Sequence, residues 1–257
     1  MDDTPRPLLE HLEELRLRLF WVLGAWAVAS LAASFFSKEL FGILMAPAVD
    51  AVLASGHTLI AVSPSELFMT YFKTAILSGA IVAMPVALWH LWAFVAPGLY
   101  ESERRMALPF VISTSTLFAG GCLFAYFVAF PAMFGYFASL ESDFVATMWS
   151  TREVFSVCTT MYLGFGLAFQ LPIVLVALAV AGVVTPKWLA AQRKYAILVA
   201  FIAGAILTPS PDITSQIILS VPLCLLYEMS IWVSRVIVRR RASPTASLTP
   251  VVSERDG

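Results

Sequence analysis

Six apolar runs separated by short polar breaks take up most of this chain. They lie at about Leu19 to Phe36, Leu67 to Val95, Ala107 to Ala138, Val154 to Ala181, Tyr195 to Leu207 and Ile213 to Val233. A helix needs about 20 apolar residues to cross ~30 Å of hydrocarbon, so most of these runs are long enough to be membrane spans. Barrel strands would instead alternate polar and apolar side chains over about ten residues, and no such segments occur. With 60% hydrophobic and only 13% charged residues, the chain departs far from a water-soluble domain. The pattern predicts an all-α integral membrane protein of six transmembrane helices, with no room for a sizeable soluble domain.

Orientation follows from where lysine and arginine fall, since cytoplasmic connections keep positive charge. On one side lie Arg6, Arg16 and Arg18, then Arg104 and Arg105, then Lys187, Arg193 and Lys194, and finally Arg235, Arg239, Arg240, Arg241 and Arg255. The other side holds Lys38 and Arg152, while Lys73 falls inside a span. Thirteen against two predicts a multi-pass protein of the cytoplasmic (inner) membrane with both termini in the cytoplasm. Residues 1–18 then form a cytoplasmic amphipathic segment, 19–238 the membrane domain, and 239–257 a disordered Ser/Thr/Pro-rich tail. The opening MDDTPRPLLEHLEELRLRL lacks the basic start and small-residue cleavage site of a signal peptide, so the first run is expected to be retained.

The spans are unequal. The second to fourth hold roughly 28 to 32 residues and must tilt or project from the bilayer. The fifth, Tyr195 to Leu207, is too short to cross unaided, and the sixth is also expected to be short. Pro85, Pro109, Pro131, Pro172 and Pro222 fall within spans and favour kinks. In the first outer connection, Phe41, Leu44, Met45, Val49, Val52 and Leu53 recur at helical spacing, predicting an amphipathic helix bent or divided at Pro47.

Several chemistries are missing from the sequence. The chain has no GxxxxGK[ST], no GxGxxG after a strand, no HExxH and no GxSxG, and it is expected not to be an enzyme. His11, His57 and His90 lie in separate segments, and Cys122, Cys158 and Cys224 are scattered through apolar runs, so no metal site, disulfide frame or cofactor is expected. A net charge of -1 gives no electrostatic footprint for nucleic acid.

Two stretches near the cytoplasmic face carry the concentrated charge. In the N-terminal helix Leu8, Leu12, Leu15 and Leu19 form an apolar stripe. Glu10, Glu14 and Arg18 are spaced four apart beside it, and Glu13 and Arg16 three apart. As a bare pattern this is an interfacial helix held by ion pairs, yet carboxylates on one face can also take guanidinium groups bidentately. The second stretch, WAFVAPGLYESERRMALPF, places Trp92, Phe94 and Tyr100 at interface level and sets Glu101 and Glu103 beside Arg104 and Arg105. By itself it reads as an aromatic belt with a positive-inside loop.

HLEELRLRL, LMAPAVD, LWAFVAPGLYESERR, FAYFVAFP and LTPSPDITSQ occur in one order, and together they resemble the TatC family, the polytopic core of the twin-arginine protein translocase. The resemblance covers about residues 8–237. It implies a receptor for twin-arginine signal peptides that exports folded proteins in a multimeric complex in the lipid bilayer, with TatA-like and TatB-like single-span partners and the proton-motive force as driver. It further implies that Glu14 and Glu103 engage the paired arginines, with Arg16, Phe94, Arg104 and Arg105 framing the site. Pro47 matches the family's outer-loop proline, and the segment from Leu207 through Thr208, Pro209 and Asp212 to Gln216 resembles the place where a partner helix docks.

Gln170 departs from the family, which often has glutamate there. An amide can still hydrogen-bond a partner helix in lipid for ~1 kcal/mol but cannot carry charge. That leaves Glu228 as the deep acid expected within span six, costly enough to be a functional candidate or a protonated structural group. Six spans with Lys73, Gln170 and Glu228 also permit a small-solute secondary transporter, although no repeat links the two halves. An intramembrane enzyme would need a nucleophile paired with a base, and no such spacing appears.

Overall fold

The chain is long and apolar, and its backbone polar groups have to be satisfied within each segment; the result is a set of ten α-helices among the described residues. The computed structural model describes residues 8–95, 107–140, 147–207 and 213–242. The helices are α1 Leu8–Ser34, α2 Ser37–Ala54, α3 Pro64–Val95, α4 Ala107–Phe124, α5 Phe130–Ser139, α6 Thr151–Ala168, α7 Leu171–Val180, α8 Pro186–Ala191, α9 Arg193–Leu207 and α10 Ile213–Ala242. Residues 1–7 and 243–257 lie outside the described residues.

Five stretches are long and apolar enough to cross a membrane: Leu12–Ser34, Pro64–Phe94, Phe110–Ser139, Thr151–Val180 and Ile213–Arg239. The sixth expected span is α9. Its 15 residues make about 22 Å of helix, short of ~30 Å of hydrocarbon. The sixth span was expected to be short too, yet α10 runs for 30 residues. Its hydrophobic run ends near Val233, but the basic residues that follow are good helix formers and simply continue the helix. In the same way the amphipathic N-terminal segment and the first span form one unbroken α1.

Prolines act according to position. Before Pro131 the chain widens into a π-helical turn, Ala125–Ala129, giving the ring the room that an α-turn denies it. Pro172 follows the break at Phe169 and Gln170 and sits in the first turn of α7, where its missing N–H costs nothing. Pro109 stands in the first turn of α4. Pro85 and Pro222 are carried inside unbroken helices, and so is Pro47 in α2, which is neither divided nor ended by it. Gly182, at φ 75°, supplies the left-handed residue just past the end of α7.

The core forms where α2, α5 and α6 meet. Met45, Ala48 and Val52 of α2, spaced three and four apart, are buried against Phe130, Met133, Phe134, Cys158, Met161 and Phe165. Tyr162 packs edge-on to Phe130 at 4.9 Å and donates its hydroxyl to the Leu44 carbonyl at 2.8 Å. The amphipathic helix of the first connection is therefore bolted onto the bundle by its apolar face. Small residues let backbones meet elsewhere: a Cβ on Gly121 would lie 2.5 Å from the Phe165 carbonyl oxygen, bringing α4 against α6 in the manner of membrane helices.

α1 packs along α3 and buries little else. The Trp26 indole donates to the Ile76 carbonyl at 3.0 Å. At Gly79 the two backbones touch, where a Cβ would fall 2.5 Å from the Ser30 nitrogen.

On the α2 side, the connections before α3 and α6 are tied together. Ile60 donates its N–H to the Trp149 carbonyl and accepts from the Thr151 N–H, both at 2.9 Å. Glu66 completes the clamp. Its carboxylate accepts from the Val62 N–H at 2.8 Å, the Arg152 N–H at 3.0 Å and the Ser150 hydroxyl at 3.2 Å, so a side chain of α3 caps the first turn of α6.

Candidate functional site

Of the six residues expected to frame a guanidinium-binding site, Glu14, Arg16 and Phe94 lie among the described residues, while Glu103, Arg104 and Arg105 lie outside them. Helical spacing fixes the geometry on α1. Residues four apart share a face, and Arg18 reaches back one turn to Glu14, with Nε 3.1 Å and Nη2 2.5 Å from the same Oε1. Both side chains are about one quarter exposed. Arg16 turns to a different face and lies over the Phe20 ring, its guanidinium carbon 5.6 Å from the centroid. The ion-paired helix read from the pattern is thus present, and the carboxylate that would receive a guanidinium already holds one.

Phe94 stands in the last turn of α3, at the start of the connection that carries Glu103. Trp92 stacks on Phe110 with ring centroids 3.9 Å apart and planes 22° apart. This staple joins the end of α3 to the start of α4 and so fixes both ends of the connection. The Trp92 ring is buried, and its Nε1 finds no acceptor among the described residues.

The expected partner-helix residues are engaged separately. Gln170 lies at the break between α6 and α7, donating Nε2 to the Thr114 carbonyl at 3.1 Å, while its buried Oε1 has no hydrogen-bond partner among the described residues. Leu207 presses on α6 at Gly164, where an added Cβ would overlap the leucine. Gln216 donates to the Phe201 carbonyl at 2.9 Å, linking α10 to α9. Thr208, Pro209 and Asp212 lie outside the described residues.

Glu228 lies within the candidate span Ile213–Arg239 and has a partner there. About 22 Å along α10, it stands level with the first residue of α9 and pairs with Arg193, Nε to Oε1 at 2.6 Å and Nη2 to Oε2 at 3.0 Å. Its neighbour Tyr227 donates to the Leu189 carbonyl at 2.8 Å. The pairing escaped the sequence because the two residues are far apart in the chain and meet only when α9 folds back on α10. Glu66 was missed as well, although Ser63 and Glu66 carry the S-x-x-E signature of a capped helix start, and the Glu66 N–H does donate to the Ser63 hydroxyl oxygen at 3.3 Å. Among the described residues no three His, Cys, Asp or Glu side chains converge as a metal site.

Comparison with known proteins places these features in context. A sequence model described as "Sec-independent protein translocase protein (TatC)" matches residues 10–222. The Sec-independent protein translocase protein TatC of Desulforapulum autotrophicum is 40% identical over 94% of this chain and 89% of its own length. That of Escherichia coli K12 is 36% identical over 91% of this chain and 90% of its own. A crystal structure titled as the twin arginine translocase receptor TatC superposes with a TM-score of 0.77 at 38% identity, covering 88% of this chain and 98% of that one.

Proposed function

The chain belongs to the TatC family of Sec-independent protein translocase proteins, and on that premise we propose that it is the receptor for twin-arginine signal peptides, taking their guanidinium groups on Glu14 and Glu103. It is a membrane-embedded component of the twin-arginine translocase. The observation that carries the receptor reading is the Arg18 guanidinium held on the Glu14 carboxylate. This carboxylate is placed for guanidinium, and an incoming arginine needs only to share or displace an intrahelical pair worth about 0.3–0.5 kcal/mol. Glu103 provides the second carboxylate, and Arg16, Phe94, Arg104 and Arg105 frame the pocket.

The sorting of basic residues supports a protein of the cytoplasmic membrane with both termini in the cytoplasm and α2 on the outer face. Gln170, Leu207, Thr208, Pro209, Asp212 and Gln216 are the surface for TatA-like and TatB-like helices in a multimeric complex driven by the proton-motive force. The relatives named above support the translocase reading over a small-solute transporter, and the receptor is read as a binding protein without catalytic chemistry.

Replacing Glu14 and Glu103 together by alanine tests the reading. Export of a folded reporter bearing a twin-arginine signal should stop while the protein remains inserted. Undiminished export by that double variant would overturn the assignment.

A further inference from the structure

Facing polar stripes on α3 and α6 line a groove of about 1040 Å³ on the α2 side of the bundle. Glu66, Thr70 and Lys73 recur at helical spacing on α3, and Arg152, Ser156 and Thr160 do so on α6. Lys73 and Thr160 each stand nine residues from the start of their helices, so the groove descends about 14 Å into the span region. Met69 and Phe155 complete its walls, and Phe68 and Phe72 are exposed on the neighbouring face of α3.

The charges in this groove are not balanced by one another. Among the described residues Lys73 and Glu153 make no ion pair or hydrogen bond, though both line the cavity. Glu66 makes no ion pair with Lys73; its carboxylate accepts instead from the Val62 N–H, the Ser150 hydroxyl and the Arg152 N–H. Thr70 and Thr160 already donate their hydroxyls to helix carbonyls, which leaves oxygen lone pairs that only a donor can use. A charged lysine at this depth needs a polar partner, and the groove offers cations for an anion alongside acceptors for a cation.

We propose that this groove seats the headgroup of an outer-leaflet aminophospholipid, with its phosphate on Lys73 and Arg152, its ammonium on Glu153 and the Thr70 oxygen, and its acyl chains along Phe68 and Phe72. A zwitterion matches a cavity lined by charges of both signs, Lys73 and Arg152 against Glu153, that form no ion pair with one another. The apolar strip beside the groove favours a lipid over a soluble zwitterion. Assignment to the outer leaflet rests on the topology proposed above; binding itself does not.

The test is native mass spectrometry of the full-length detergent-solubilised protein with phosphatidylethanolamine added, run in parallel with phosphatidylglycerol and with inorganic phosphate. One phosphatidylethanolamine should be retained in preference to phosphatidylglycerol. K73Q should lower the bound fraction about five-fold, the scale of one exposed ion pair, K73R should preserve it, and E153Q should erase the preference for the amine lipid. If K73Q fails to fold, Ser156→Leu fills the groove with Lys73 intact and should show the same loss. Unchanged retention in K73Q or Ser156→Leu overturns the proposal. Equal retention of phosphatidylglycerol by the unaltered protein, or displacement of the lipid by inorganic phosphate alone, overturns it as well. Because retention is read on isolated protein, its failure leaves the signal-receptor reading standing, and a failure of export leaves this one standing.

Discussion

Arg193 and Glu228 meet in a two-pronged ion pair, Nε to Oε1 at 2.6 Å and Nη2 to Oε2 at 3.0 Å, which locks the first residue of the short α9 to α10. Helices α8, α9 and α10 are thereby closed into one unit, with Tyr227 bonded to the Leu189 carbonyl on the other side of the same corner. The pair explains how a helix too short to cross the bilayer keeps a fixed height within the bundle.

Breaking that pair should loosen the corner without unfolding the bundle. Arg193→Gln or Glu228→Gln should lower the apparent Tm of the detergent-solubilised protein by about 2–4 °C, the range for a modest loss in a chain of this size. The charge-swapped double variant should recover much of the loss. Thermal melting of all three variants, arranged as a double-mutant cycle, measures the coupling; additive losses would mean that the pair contributes nothing.

Gly79 should tolerate no side chain. An alanine Cβ would lie 2.5 Å from the Ser30 nitrogen and 2.6 Å from its Cα, so the helices must separate, at a cost of about 1–3 kcal/mol. Gly79→Val should cost more than Gly79→Ala. Ser30→Gly should rescue neither fully, because the obstruction is backbone. Denaturation midpoints check this order, and full rescue by Ser30→Gly would contradict it.

Glu66 should govern the α2 side of the bundle. Its carboxylate joins the α2–α3 connection to the first turn of α6, so Glu66→Ala should speed hydrogen exchange at the Val62 and Arg152 amides several-fold. Glu66→Gln, which keeps one carbonyl oxygen, should do so less. Amide exchange read by mass spectrometry distinguishes these outcomes, and unaltered protection in both variants would remove the clamp from the account.

Lengthening α9 by one apolar turn, inserted after Ile202, adds about 6 Å and brings it close to a full span. If the short helix thins the bilayer around it, export of a folded twin-arginine reporter should fall several-fold while membrane insertion is unchanged. Unchanged export would count against thinning.

Much of this was legible in the residues. Apolar run length located the spans, and helical spacing found α2, whose Met45 and Val52 are the residues driven into the core. Charge spacing found the Glu14–Arg18 pair, because both partners lie on one helix and the geometry is local. What escaped was non-local. The partner of Glu228 was hidden because hydropathy follows one helix at a time and cannot see that α9 begins beside it with an arginine. The Glu66 clamp depends on two connections meeting, and the Lys73 groove on two polar stripes facing each other. Pro131 was anticipated to kink its span, and in the structure the strain is taken up one turn earlier by the π-helical turn Ala125–Ala129.

Site-specific photocrosslinking in membranes, with probes replacing Leu17 beside the Glu14 face and Tyr100, three residues before Glu103, asks whether these carboxylates hold the twin-arginine signal peptide of a folded cargo. The account predicts an adduct at both probes that disappears when the two arginines of the signal are changed to lysine, and again when Glu14 and Glu103 are changed to alanine. An adduct of the same yield with the lysine signal, or with both carboxylates removed, would contradict it.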